Sequence, residues 1–216
     1  MLSTDFENLR ELYRKSDVSN LHIVVKNLIT ELSNLIAYDN MYFHPLGFMY
    51  ATLHSFSNNE TIRIHIWNKR VYELTPILDI HNHYYKVNSY VFCGCVVNQL
   101  YKIHGLKNPN VSQYKGSYTS NGGRILTKTT DGFFVIEEKK SIHYSGDLYV
   151  IEHDQIHSGG SLGDETTCTV VYTQEPGEKE PLVFGKGELP DVLLFELKKV
   201  PSKEVKKVLT ELKNLK

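Results

Sequence analysis

The sequence predicts a mainly β protein, a small barrel or sandwich carrying helices at both ends, and three observations carry that prediction. Short runs of β-branched and aromatic residues, punctuated by glycine, asparagine and aspartate, fill the middle of the chain. Apolar residues at three- and four-residue steps occupy the two ends. The chain of 216 residues shows no internal repeat, low-complexity linker or composition break that would divide it.

At the N-terminal end, Leu21, Val24, Val25, Leu28, Ile29, Leu32, Leu35 and Ile36 form one apolar stripe, which predicts an amphipathic helix between Asp17 and Tyr38. A shorter helix is expected over 4–15. At the other end, Pro201-Ser202 opens a helix whose face is Val205, Val208, Leu209, Leu212 and Leu215. The segments are therefore 1–40, helical and packed on the barrel; 41–190, the barrel; and 191–216, a C-terminal helical segment. Strands are expected at 47–56, 61–67, 70–75, 79–85, 88–102, 141–144, 147–152, 166–173 and 182–185. Asn121-Gly122-Gly123 and Asp131-Gly132 read as hairpin turns, because glycine and asparagine tolerate the positive φ of a tight reversal. The stretch 104–123 could fold over a pocket, although no spacing establishes a lid.

Composition narrows the function. With 24 lysines and arginines against 25 acids, the chain lacks the basic excess that a phosphate backbone attracts, so no nucleic-acid partner is expected. No membrane partner is expected either, since no stretch approaches the roughly 18 uninterrupted apolar residues of a membrane helix. The start MLSTDFENLRELYRK has neither the basic flank nor the apolar core of a signal peptide, and three cysteines cannot all pair. A soluble protein of the reducing cytoplasm is the expectation.

The chemistry concentrates in the ten histidines. In Ile80-His81-Asn82-His83-Tyr84-Tyr85, strand alternation puts His81, His83 and Tyr85 on one face, where two imidazoles can converge on a single cation. A third ligand is available at His157, which follows the strand and turn of 146–156. Three histidines leave positions open on a catalytic metal for substrate, water or dioxygen. His153 is a weaker ligand, since the strand-then-turn context does not supply the helical geometry that would align it with His157. Upstream, Arg63, His65 and Trp67 alternate with Ile62, Ile64 and Ile66. If the first set lines the barrel, Arg63 can hold a carboxylate and His65 sits beside it; if the isoleucines face the core, Arg63 is solvated. Arg124 and Arg70 stand in reserve. Tyr172, sharing a face with Cys168 and Val170, and Tyr85 are candidates to donate a hydrogen bond to bound oxygen or substrate. Cys93-Gly94-Cys95 lacks the spacing of zinc ribbons, and its thiols are expected on one strand face as buried structural residues. His22, His44, His54, His104 and His143 have no partner at ligand spacing. The lysine-rich tail after residue 197 reads as a solvated helix face.

These histidines carry a resemblance to the cupin superfamily. Its first motif begins with HxH and ends on a glycine eleven or twelve residues later; His81, His83 and Gly94 keep that spacing. Of its second motif, Gly146 and His157 fall at the glycine and histidine positions, while Glu152, Asp154 and Ser161 replace the proline, second glycine and asparagine. The usual glutamate ligand is missing, its places holding Val87 or Asn88, so the chain resembles the three-histidine thiol dioxygenase branch typified by cysteine dioxygenase. The cysteine that is joined to a tyrosine in that enzyme is Asn88 here, so no such crosslink is expected. The resemblance implies a cupin-type jelly-roll β-barrel, Fe(II) on His81, His83 and His157, and two partners, a small-molecule substrate and dioxygen. It also implies Arg63 as a carboxylate holder, by order in the chain. A site without a carboxylate ligand keeps the full metal charge and favours a thiolate. Imidazole sites also accept manganese, nickel, copper or zinc. Oxidation of a small thiol is the first expectation and oxidative carbon–carbon cleavage the second. The alternatives are a metal-assisted isomerase, lyase or hydrolase on the same barrel and a cupin that binds a ligand without turnover.

Overall fold

The computed structural model describes residues 3–35, 38–104, 109–177 and 181–215. Two helices come first, α1 (Phe6–Lys15) and α2 (Val18–Asn34). Asp5 caps α1 by accepting from Asn8 N, and Asp17 caps α2 by accepting from Asn20 N. Ser16, at φ 54°, turns the chain between them. The stripe expected from the sequence is buried as Leu21, Val25, Leu28, Ile29 and Leu32. Ile36 lies outside the described residues. The last helix, α3 (Ser202–Lys213), buries Val205, Val208, Leu209 and Leu212.

Fourteen strands lie between and beside the helices in the described residues: β1 (Tyr42–His44), β2 (Phe48–Ser55), β3 (Thr61–Trp67), β4 (Ile80–His81), β5 (Lys86–Cys93), β6 (Cys95–His104), β7 (Val111–Tyr118), β8 (Arg124–Tyr144), β9 (Leu148–Ile151), β10 (Ile156–Ser161), β11 (Thr167–Gln174), β12 (Val183–Lys186), β13 (Val192–Phe195) and β14 (Lys198–Lys199). They form two antiparallel seven-stranded sheets. The first runs β14-β1-β2-β3-β11-β5-β9 and the second β13-β8-β6-β10-β4-β12-β7, with β7 also pairing β8. The mainly β class with terminal helices thus holds.

The first sheet separates two environments. On one face Ile62, Ile64, Ile66, Val170 and Tyr172 pack with the helices in the largest apolar cluster. Tyr13 ties α1 to this face by donating to the Val170 carbonyl at 2.6 Å. On the other face Arg63, His65, Trp67, Val171 and Thr173 look into a cavity of about 330 Å³ bounded by the second sheet. Strand alternation alone produces this division: the isoleucines are in a core, and Arg63, half-buried, faces the chamber rather than bulk solvent.

Several local expectations differ from the structure. Residues 70–75 are not a strand. Asn68 folds them into a turn, its carbonyl accepting from Val71 N and Tyr72 N and its Oδ1 from Arg70 N. Of 79–85 only Ile80–His81 pairs as a strand, because Asn82 is held by Leu182 in a loop instead. The run 88–102 is divided at Gly94, which adopts φ +71° and sends the chain from the first sheet into the second. Cys93 and Cys95 consequently belong to different sheets rather than one face; the first thiol donates to the Thr166 carbonyl and the second to that of Leu162. Asp131-Gly132 is no hairpin. It lies inside the long β8 where pairing with β7 slips between Ser112 and Tyr114. Residues 191–216 are helical only from Ser202, since β13 and β14 precede the helix as sheet edges. Among its described residues the stretch 104–123 holds β7, paired on both sides, and its Gly122 and Gly123 line the cavity; 105–108 lie outside the described residues.

Candidate metal centre

His81 ends β4, His83 follows in the loop, and His157 enters on β10 directly opposite His81 in the register. Each offers one ring nitrogen, and the three atoms lie within 4.8 Å of one another. His83 Nε2 and His157 Nε2 are 3.1 Å apart. Donors held at about 2.0–2.1 Å from one ion stand roughly 3–3.4 Å apart, so this pair already matches, while a spacing at the 4.8 Å limit exceeds the bound value by about 1.4–1.8 Å.

The outer nitrogens are used to fix the rings. His81 Nδ1 donates to the Asp79 carbonyl at 2.9 Å, and His157 Nδ1 donates to Asn98 Oδ1 at 2.8 Å. Both bonds place the proton on Nδ1 and turn the Nε2 lone pair inward, the tautomer a metal ligand requires. Burial lowers the pKa of all three rings, most for His83 and His157; repulsion from His81 lowers both of these further, and His157 also lowers His83. Neutral imidazoles are therefore present at neutral pH without competition from protons. The donor set, its tautomers and its charge state fit a divalent transition metal.

The surroundings sort the remaining candidates. Tyr85 stacks on His83 at 5.1 Å and its hydroxyl accepts from Arg63 Nη1 at 2.9 Å. Arg63 Nε donates to Thr61 Oγ1 at 2.9 Å, so the guanidinium is held by two hydroxyls against the chamber wall. His65 packs against Phe48 at 4.7 Å; burial, assisted by Arg63, pushes its pKa down to about 3. It is a neutral polar group of the wall. Arg124 lines the same cavity, whereas Arg70 is outside it, paired with Glu211 at 2.6 Å. Tyr172 is a correction. It is fully buried on the helix side of β11, donating to Glu60 Oε2 at 2.6 Å and accepting from Arg14 Nε at 3.2 Å, so it cannot reach the chamber. The odd-numbered residues of β11, not the even ones, face the histidines.

Two residues of the site escape sequence reasoning. Asn98 orients His157, and in the sequence it is one of two adjacent amides, Asn98-Gln99, in β6, with nothing to tie it to the histidines. His44, half-buried and strongly lowered in pKa by desolvation and by His65, stacks on Phe48 at 4.4 Å and lines the cavity. Nothing in its neighbourhood in the sequence marks it. No protein-family model matches the chain, and no curated protein matches it. Fold and site together define a mainly β protein with three convergent histidines in a chamber between two sheets. No described helix is long and apolar enough to cross a membrane.

Proposed function

We propose that this chain is a metal-dependent oxidoreductase of the cupin type, a non-haem Fe(II) dioxygenase acting on a small polar substrate, with thiols the first class to test. The observation that carries the reading is the convergence of His81, His83 and His157 from separate segments inside a chamber that also presents a hydroxyl-anchored arginine. Two antiparallel sheets around the chamber support the cupin assignment, as do the left-handed glycines Gly94 and Gly146 at the motif positions. When bound, the iron would supply dioxygen activation on the face left open by a three-histidine set.

The protein's own groups do the rest. Arg63 binds an acidic group of the substrate and Tyr85 orients Arg63. Asn98 and the Asp79 carbonyl hold the rings in the ligating tautomer. Phe48 and Trp67, 4.9 Å apart, keep water from one wall. A reducing cytoplasm suits both the ferrous ion and the free thiols of Cys93, Cys95 and Cys168.

Elemental analysis of protein purified without chelator tests the metal, and oxygen uptake by Fe(II)-loaded protein with a panel of thiols tests the reaction. The expected result is stoichiometric metal that His157→Ala abolishes and thiol-dependent oxygen uptake that the same substitution removes. Metal content unaffected by His157→Ala overturns the triad. Metal-dependent turnover without oxygen consumption reassigns the site to isomerase or lyase chemistry.

A further inference from the structure

The second sheet has a gap beside the metal centre. β10 pairs with β6 along its whole length, whereas β4 meets its other edge only where His81 stands opposite His157. Beyond that point a second cavity, of about 430 Å³, lies between residues 158–161 of β10 and the loop 72–76. The phase of the ladder shows what the gap exposes. Leu162 N donates to the Cys95 carbonyl at 3.2 Å, so residues 158 and 160, in step with it, exchange their backbone bonds with β6. The N–H and C=O groups of Gly159 and Ser161 therefore point away from β6, to the side where no described strand pairs with them. On the facing wall, Glu73, Leu74 and Thr75 N–H groups make no backbone bond within the described residues either. β9, β13 and β14 end their sheets, but β10 is open in the middle of one. Glycine marks the same stretch. Neither Gly159 nor Gly160 has a positive φ; a Cβ at Gly160 would meet nothing within 4 Å, and one at Gly159 only ordinary contacts at 3.8 and 4.0 Å. The fold itself makes no demand for glycine there, and a strand stripped of side chains is one that another backbone can approach closely. The charge of the cavity has a sign as well. Lys69 is paired with Asp164 at 2.7 Å, which leaves the carboxylates of Glu73 and Asp79 to set it.

We infer that the open edge of β10 is a docking site for an extended cationic peptide, which lies in line with β4 and completes the sheet. An added antiparallel strand exchanges both backbone bonds with Gly159 and both with Ser161, the pattern of recognition by strand addition. Lysine or arginine side chains of the peptide meet Glu73 and Asp79. The inference does not depend on the metal, because the open ladder, the glycine pair and the carboxylates are present whatever the histidines hold.

Fluorescence anisotropy of labelled, end-capped hexapeptides titrated with full-length, chelator-treated protein tests it. The probes are a peptide of alternating lysine and valine, its glutamate–valine counterpart, and the lysine–valine peptide methylated at every backbone nitrogen. The unmethylated lysine peptide is expected to bind about tenfold or more tighter than either of the others. Ser161→Pro removes an N–H that the β6 ladder does not use and sets a ring on the open edge; affinity should fall about fivefold or more, while Ser161→Ala leaves it unchanged. Glu73→Lys, on an exposed loop, should narrow the difference between the lysine and glutamate peptides, and it decides the matter together with the methylated peptide if Ser161→Pro does not fold. Equal affinity for the lysine and glutamate peptides, binding of the methylated peptide as tight as its parent, or absence of binding by all three overturns the inference. So does a folded Ser161→Pro that binds like the wild type, or a preference for lysine that Glu73→Lys leaves intact. Self-association of the chain that Ser161→Pro abolishes, with no peptide bound, gives the edge to a second copy of this chain and equally overturns it.

Discussion

Replacing Asn98 by leucine separates a metal centre from an accidental cluster of histidines. The Asn98 Oδ1 acceptor lies 2.8 Å from His157 Nδ1, with both residues buried, at 6% and 5% exposure. Leucine keeps the γ-branched shape and removes the acceptor. In metal-free protein His157 can respond by moving its proton to Nε2 and donating to His83 across the 3.1 Å gap, so little stability is lost, about 1 kcal/mol or less. Metal binding forbids that escape, since Nε2 must present its lone pair and the Nδ1 proton is then buried without a partner, at about 1–3 kcal/mol. At 1.4 kcal/mol per factor of ten, affinity should fall roughly 5- to 150-fold, which brackets the 10- to 100-fold usual for such supporting partners. Zn(II) affinity is read by competition with a chromophoric chelator, and metal-free stability by urea unfolding. Asn98→Asp, which keeps an acceptor at the same place, should preserve affinity. Wild-type affinity in Asn98→Leu, or a loss of metal-free stability as large as the loss of affinity, refutes the reasoning.

The other predictions concern the frame around the site. Gly94→Ala forces a left-handed residue at φ +71° and drives its Cβ into Thr167 Oγ1 and to 2.8 Å from Thr167 Cα. Conformational and packing costs together come to about 2–5 kcal/mol, measurable as a lowered urea midpoint. Tyr172→Phe strips a hydrogen bond from buried Glu60 and should cost about 1.5–3 kcal/mol while leaving metal content unchanged, because the residue faces the helices. Burial would raise the Glu60 carboxyl, but hydrogen bonds from Tyr172 and Asn58 and the charge of Arg14 outweigh it and hold the pKa below the ordinary value. The unfolded chain therefore binds the proton first. Stability from this group is present above about pH 4.3–4.5 and is lost as pH falls through the folded pKa, so Glu60→Gln should flatten the acid limb of a stability–pH curve. Zinc at one hundred times its dissociation constant should stabilise the wild-type chain by about 2.7 kcal/mol in calorimetry and His157→Ala by nothing.

Local chemistry made part of this protein readable in advance. The helix stripes, the HxH pair and the strand alternation of β3 depend on neighbours a few residues apart, and their geometry follows from a helical or extended backbone. That is why Leu21 to Leu32, Arg63 and His65 are where their spacing puts them, and why the His81, His83 and Tyr85 rings are adjacent even though the strand stops at His81. Asn68 and Gly94 show the boundary of such reasoning: an Asx turn ended one expected strand and a left-handed glycine divided another.

What the chain alone determined is an inventory of ligating and anchoring groups and the period on which each is presented. Which face of a strand meets a chamber and which meets a helix was decided only by packing. A period of two assigns residues to two faces without saying what covers either, so Tyr172 fell to the helices while Arg63 fell to the cavity. Convergence is a property of long-range strand pairing: His157 meets His81, 76 positions away in the chain, within the second sheet, and Asn98, His44 and Arg124 join them from strands with no local mark of the site. Long-range backbone hydrogen bonding sets those neighbours, and no short window of sequence contains it.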